Sequence, residues 1–254
     1  MEQFVSRDSI VRKIWGKGDT ILFIFAGASA EFALNKAVEW LYFTGKLPKD
    51  PLGRLFSTVS YARQIVFSSR EEATKTIEKI SSIHTAVETA RGYQIPDWSY
   101  RDVLFMLIHY SIASFELLER KLTGEEKEEV YNVFYRVGTG MGIPGLPASY
   151  KDWLPVREQH MAKDLEKSHY TVDLFRQYHK HLGPFRYALL KEAQVLVVPG
   201  KVKTLLGLRK VSLLVPVIPV YKLSRLISLD RVLKAAILPR AYQPQIKALD
   251  QSGV

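Results

Sequence analysis

Apolar residues recur along this chain at the spacing of helix faces, and strand-like alternation is scarce. Asp19 is placed to cap a helix over residues 19–43 that Gly45 and Pro48 end. A turn at 51–53 leads into a helix over 55–67, and a third runs over 71–90. Ser99 or Asp102 opens a helix reaching 120, and Thr123 with Glu126 has the spacing of a capping box for a helix reaching 138. Residues 138–147 are too rich in Gly and Pro to be anything but a loop. Ser149 with Asp152 marks another start, and helices are predicted over 153–167, 171–182 and 185–197, with Gly183-Pro184 dividing the last two. Past Pro199 the pattern weakens. Residues 211–221 are apolar but interrupted by Pro216 and Pro219, and 222–238 form a basic amphipathic stretch.

The fold class predicted is all-α, a single-domain helical bundle with an N-terminal arm over 1–18, a helical domain over 19–208 and a basic amphipathic C-terminal extension over 209–254 packed on the same domain. A length of 254 residues suffices for one large core. Residues 21–30 are uncharged, but Glu31, Lys36 and Glu39 follow within one helix length, and each costs about 2.5–3.5 kcal/mol at a bilayer centre. Residues 103–115 are apolar but bounded by Asp102 and Glu116, well short of the roughly 20 residues a crossing helix needs. Both stretches read as buried core. Residues 1–8 lack a basic region followed by an apolar run, so no signal peptide is expected and the default compartment is the cytoplasm.

Composition narrows the chemistry. With no cysteine, thiolate metal sites, iron–sulfur clusters and cysteine nucleophiles are excluded, and a metal must be held by His, carboxylate or a cofactor. Ten Lys or Arg against Asp230 and Asp250 put a net +8 of the chain's +10 into residues 200–254. That stretch reads either as a solvated basic helix or as one that touches an anionic membrane surface. Nucleic acid is not expected as a partner, because Tyr221 and Tyr242 are the extension's only aromatics and no stacking platform is apparent. The glycines at 138, 140 and 142 follow no strand and have the wrong spacing for a dinucleotide site. A phosphate loop, a serine-hydrolase elbow and a zinc-protease motif are absent as well.

Six histidines remain. His160, His169, His179 and His181 lie in charged surroundings and read as surface residues. His84 sits among Ile77, Ile80, Ile83 and Val87 at helical spacing, and His109 lies inside the most apolar helix. Each is either a hydrogen-bonded core histidine or a ligand. Arg54 and Thr58, spaced i, i+4, share a helix face: either a capped helix start with a surface arginine, or a pair that binds an anionic or oxygen-bearing group. Glu31, Asn35 and Glu39 read as a solvated polar stripe.

The run Asp50-Pro51-Leu52-Gly53-Arg54 with Thr58, then Ile83-His84-Thr85-Ala86-Val87, the helix with His109, and Gly142-Ile143-Pro144 with Leu146-Pro147, together resemble the MpaB and rubber oxygenase (latex clearing protein) catalytic domain. The resemblance covers about residues 19–208. It implies a globin-reminiscent fold around a b-type haem, with His84 as proximal iron ligand, Arg54 and Thr58 at the haem pocket and His109 behind the first shell of ligands. The implied activity is haem-dependent oxygenation by dioxygen of an apolar, isoprenoid- or lipid-like substrate, by oxidative cleavage of a carbon–carbon double bond. Ser57 stands where rubber-cleaving members have lysine, which argues against rubber itself. The alternative from another class is a haemless lipid-binding or membrane-surface protein whose buried histidines are structural.

Overall fold

A computed structural model describes residues 2–226, and among them the chain is helical, its extended pairings reduced to two isolated bridges, Gln3 with Ser69 and Asn35 with Leu165. The helices follow in the order α1 (Ile10–Trp15), α2 (Gly18–Leu34), α3 (Val38–Phe43), α4 (Lys46–Lys49), α5 (Pro51–Phe67), α6 (Arg70–Arg91), α7 (Asp97–Leu118), α8 (Gly124–Gly140), α9 (Tyr150–Asp164), α10 (His169–Val197), α11 (Gly200–Leu206) and α12 (Val217–Leu226). The all-α class is as the periodicity predicts.

Helix α2 is the axis. It is apolar on every side, with Ile21, Ile24, Ala30 and Leu34 almost wholly buried, which is the pattern of a helix surrounded by others. Helices α7 and α10 flank it, and α1, α5 and α11 close around it. Gly27 sets the spacing to α7: a Cβ there would stand 2.2 Å from the Tyr110 ring, so only glycine lets the tyrosine lie across α2. Residues 21–30 and 103–115 are core, as expected, and no helix among the described residues is long and apolar enough to cross a membrane.

Local sequence fixes the helix ends. Thr123 and Glu126 form the predicted capping box, Ser69 and Glu72 form another, and Ser149 accepts from the Asp152 backbone. Gly183, at φ 72°, bends α10 where the Gly-Pro pair divides the sequence pattern. The predicted 19–43 helix is instead two, because Asn35 ends α2 and turns its side chain onto the Ala37 amide and onto Asp102. Helix α5 begins at Pro51 rather than after it, with Asp50 accepting from the Gly53 amide.

The N-terminal segment is more than an arm. Val11, Ile14 and Trp15 of α1 are fully buried, Trp15 donates its indole N–H to Ser111, and Arg63 donates to the Trp15 carbonyl. At the other end, α12 returns to the body: Arg225 pairs with Asp19 and Glu119, and Tyr221 donates to Asp19. The remainder of the basic stretch, from 227 on, lies outside the described residues.

Candidate functional site

Helices α5 and α6 form a hairpin closed by Ser68 and Ser69, and the candidate residues face one another near its open end. Arg54 stands one turn into α5, and His84 four turns into α6. Periodicity accounts for both: 54, 58, 61 and 65 share one line of α5, and 73, 77, 80, 84 and 88 share one of α6. Burial and the adjacent Arg54 guanidinium pull the His84 imidazole below its ordinary pKa, so the ring is neutral at neutral pH. Its Nδ1 is buried without a hydrogen-bond partner, and neither ring nitrogen has one among the described residues. The Tyr100 ring lies 5.1 Å away between centroids, and the Tyr100 hydroxyl donates to Glu88 one turn beyond the histidine.

Arg54 is itself held below its ordinary value by burial, and no carboxylate among the described residues pairs with it. Its Nη1 donates to Ser57 at 3.2 Å. Thr58 lies on the same face, but its hydroxyl donates to the Arg54 carbonyl at 3.2 Å, so it presents only acceptor lone pairs to the hairpin. The aliphatic neighbours of His84 are incompletely covered: Ile80 is partly buried against the core, and Ile83 is 39% exposed. A neutral, unpartnered imidazole, an uncompensated cation beside it and uncovered apolar surface are what an anionic, largely apolar cofactor with an axial position to fill requires. The residues present fit a haem.

His109 belongs to a different neighbourhood. Burial and nearby Arg157 push its pKa down to about 3, the Val197 carbonyl opposing, and its Nε2 is buried without a partner. No hydrogen bond, ion pair or ring contact among the described residues joins it to His84, Arg54 or Thr58. Arg157 is itself buried against Glu31, its Nη2 2.5 Å from the carboxylate, which also accepts from the Tyr110 hydroxyl at 2.7 Å. Glu31 and Asn35 are therefore interior, not a solvated stripe, and only Glu39 of that trio reaches the surface, paired with Arg91.

His160 likewise corrects the surface expectation. It lies on α9 in direct contact with Asp102 of α7, and its Nδ1 is 3.6 Å from Asp164. Burial, then the neighbouring Asp102, raise the Asp164 carboxyl above its ordinary value. His169 and His179 are exposed, as expected. The interior polar residues had a signal: Glu31 and Asn35 are spaced i, i+4 at the end of a helix whose residues 21–30 carry no charge, and 157, 160 and 164 fall on one face of α9.

A second feature lies on another face of α5. Leu52, Leu55 and Phe56, with Phe25 and Ala26 of α2, α10 and α12, line a half-open, almost wholly apolar cavity of about 290 Å³. Leu214, Ile218 and Tyr221 form its outer wall. The same segment exposes Val211, Leu213, Val215, Val220 and Leu223 to solvent.

Compared with known protein families, the chain matches the model of "ER-bound oxygenase mpaB/B'/Rubber oxygenase, catalytic domain" over residues 13–227. No curated protein sequence matches it.

Proposed function

Since the chain belongs to the MpaB/rubber oxygenase catalytic-domain family, and the family description is that of an oxygenase, we propose that it is a haem b-dependent oxygenase with His84 as the proximal iron ligand. The observation that carries this reading is the His84 imidazole, neutral, partly buried and unpartnered, beside an arginine with no carboxylate of its own. When bound, the haem would supply the site for dioxygen and the redox chemistry of the iron. Arg54 would supply a fixed positive charge to a haem propionate or to negative charge on oxygen. Thr58 offers that group's neighbourhood an acceptor, and Ser57 keeps the guanidinium oriented. His109 acts at a distance, as a neutral histidine bracing α7.

The substrate is apolar. Support comes from the cavity behind α5, whose lining is almost wholly apolar and so offers a chain molecule mainly van der Waals contact. Oxidative cleavage of an alkene by dioxygen balances without another reductant: the C=C and O=O bonds break, two C=O bonds form, and one molecule of oxygen yields two carbonyl products. Peripheral contact with a membrane surface fits the same region, because exposed Val211, Leu213 and Leu223 flank the cavity's outer wall beside Arg209, Lys210 and Lys222. Haem-loaded protein incubated aerobically with squalene should consume oxygen and yield carbonyl products trapped by a hydrazine. Oxygen uptake no greater than that of free haem would refute the assignment.

A further inference from the structure

The buried cluster where α2, α7 and α9 meet plays no part in the reaction just described. Asp102 and Asp164 have side chains 2% and 6% exposed, and His160 between them is 14% exposed. One oxygen from each carboxylate and a ring nitrogen of His160 all lie within 4.8 Å of one another. Asn35 donates to the other oxygen of Asp102 at 2.6 Å, fixing that carboxylate and leaving Oδ1 turned toward the histidine. This is how an outer hydrogen bond orients a ligand group.

Asp164 is the anomaly. Its carboxylate receives no hydrogen bond from any described residue, although it is more than nine-tenths buried and directed at His160. Lys36 and Lys163 lie near enough to favour its charged form, but among the described residues neither hydrogen-bonds it. Lys36 pairs with Glu166 and donates to the Lys163 carbonyl, Lys163 is exposed, and Arg157, one turn before His160, is committed to Glu31. Among the described residues only the His160 imidazole stands within ion-pair reach of both carboxylates, the two lysines acting from farther off, and such incompletely balanced buried charge is ordinarily offset by a counterion, a proton or a metal.

We propose that Asp102, His160 and Asp164 form a binding site for one divalent first-row metal ion, of the zinc or manganese kind, set between α7 and α9. One imidazole and two carboxylates, with no sulfur, suit these ions, whereas calcium and magnesium favour all-oxygen shells. His160 and Asp164 are i, i+4 and project from one face of α9, so two ligands come from a rigid element and Asp102 comes from the facing helix. The backbone around them is pinned: the Lys36 amide donates to the Asp164 carbonyl at 3.0 Å, and the Glu166 amide to the Leu34 carbonyl at 2.8 Å. Asp102 and His160, now in contact, must rotate apart to admit the ion. The ion would fasten α7 to α9, beside the Glu31–Arg157 pair, and the site stands independently of the haem assignment.

Full-length protein, stripped with chelator and desalted, is titrated with Zn²⁺ or Mn²⁺ alone; retained metal is measured by elemental analysis and stability by thermal unfolding. About one equivalent should be retained with a raised unfolding midpoint, and Asp164→Asn or His160→Gln should each weaken retention about tenfold or more while staying helical by circular dichroism. A His169→Gln/His179→Gln variant, which removes surface imidazoles, should behave as the parent. No retained metal and no rise in midpoint would overturn the proposal, as would undiminished retention in both site variants. In either case the cluster is balanced by a proton on Asp164.

Discussion

Replacing Arg157 by methionine would leave Glu31 wholly buried without its counter-charge. The two side chains are 4% and 0% exposed and 2.5 Å apart, so solvent cannot take over the arginine's role. Removing one partner of such a pair costs about 3–5 kcal/mol. The Tyr110 hydroxyl, 2.7 Å from the same carboxylate, still donates and holds the loss to the lower half of that range, about 3–4 kcal/mol. For a chain of this size each kcal/mol moves the midpoint by about 2–4 °C, so a drop of roughly 6–16 °C is expected. The Glu31→Leu/Arg157→Met double variant removes both charges and orphans only the tyrosine hydroxyl, and should return to within about 1 kcal/mol of the parent. Thermal and urea unfolding of haem-free protein, followed by far-ultraviolet circular dichroism, measure all three. A single variant as stable as the parent, or a double variant no better than the single, would refute the claim that this pair is a desolvated, mutually dependent unit.

Arg54→Ala should keep most of the haem but lose turnover by about 10²–10³, the usual consequence of removing one preorganised charge stabiliser, whereas Thr58→Ala should cost far less because its hydroxyl proton is given to the Arg54 carbonyl; steady-state oxygen uptake distinguishes them. His109, with a folded pKa of about 3, is neutral in the native state but takes up a proton on unfolding below about pH 6.5. Its contribution is therefore complete above pH 6.5 and is lost as pH falls toward 3, at about 1.4 kcal/mol per pH unit, so His109→Gln should flatten the parent's loss of stability between pH 6.5 and 4.5 in urea midpoints. Co-sedimentation with anionic vesicles should fall with added salt and with Leu213→Ser/Leu223→Ser, and recovery of all protein in the supernatant at low salt would remove the membrane contact.

Much of the fold was legible in the sequence because helix ends are written locally: the Thr123–Glu126 box, the Ser149 cap and the Gly183-Pro184 break each act within one turn of chain. The break at Asn35 was not, since it depends on Asp102, far along the chain. The α1 segment was missed because six residues are too few to show a period, yet Trp15 and Ile14 fill the core. For the site, spacing alone placed Arg54 with Thr58 and His84 on an apolar face, and the hairpin brings those faces together. Spacing could not reveal that the Thr58 proton is taken, or that charged residues of α2, α7 and α9 pair inside. Glu31, Arg157, Asp102 and His160 look like solvated groups until the helices that carry them are packed.

The central claim, that His84 holds a haem, is tested most directly by titrating the haem-free protein with haem and recording the absorption spectrum of the parent beside His84→Ala and His109→Ala. The parent should take up about one equivalent and develop the Soret band of histidine-ligated iron, His109→Ala should do the same, and His84→Ala should fail to while remaining helical. A parent without a Soret band, or a His84→Ala protein whose spectrum matches the parent's, would contradict it.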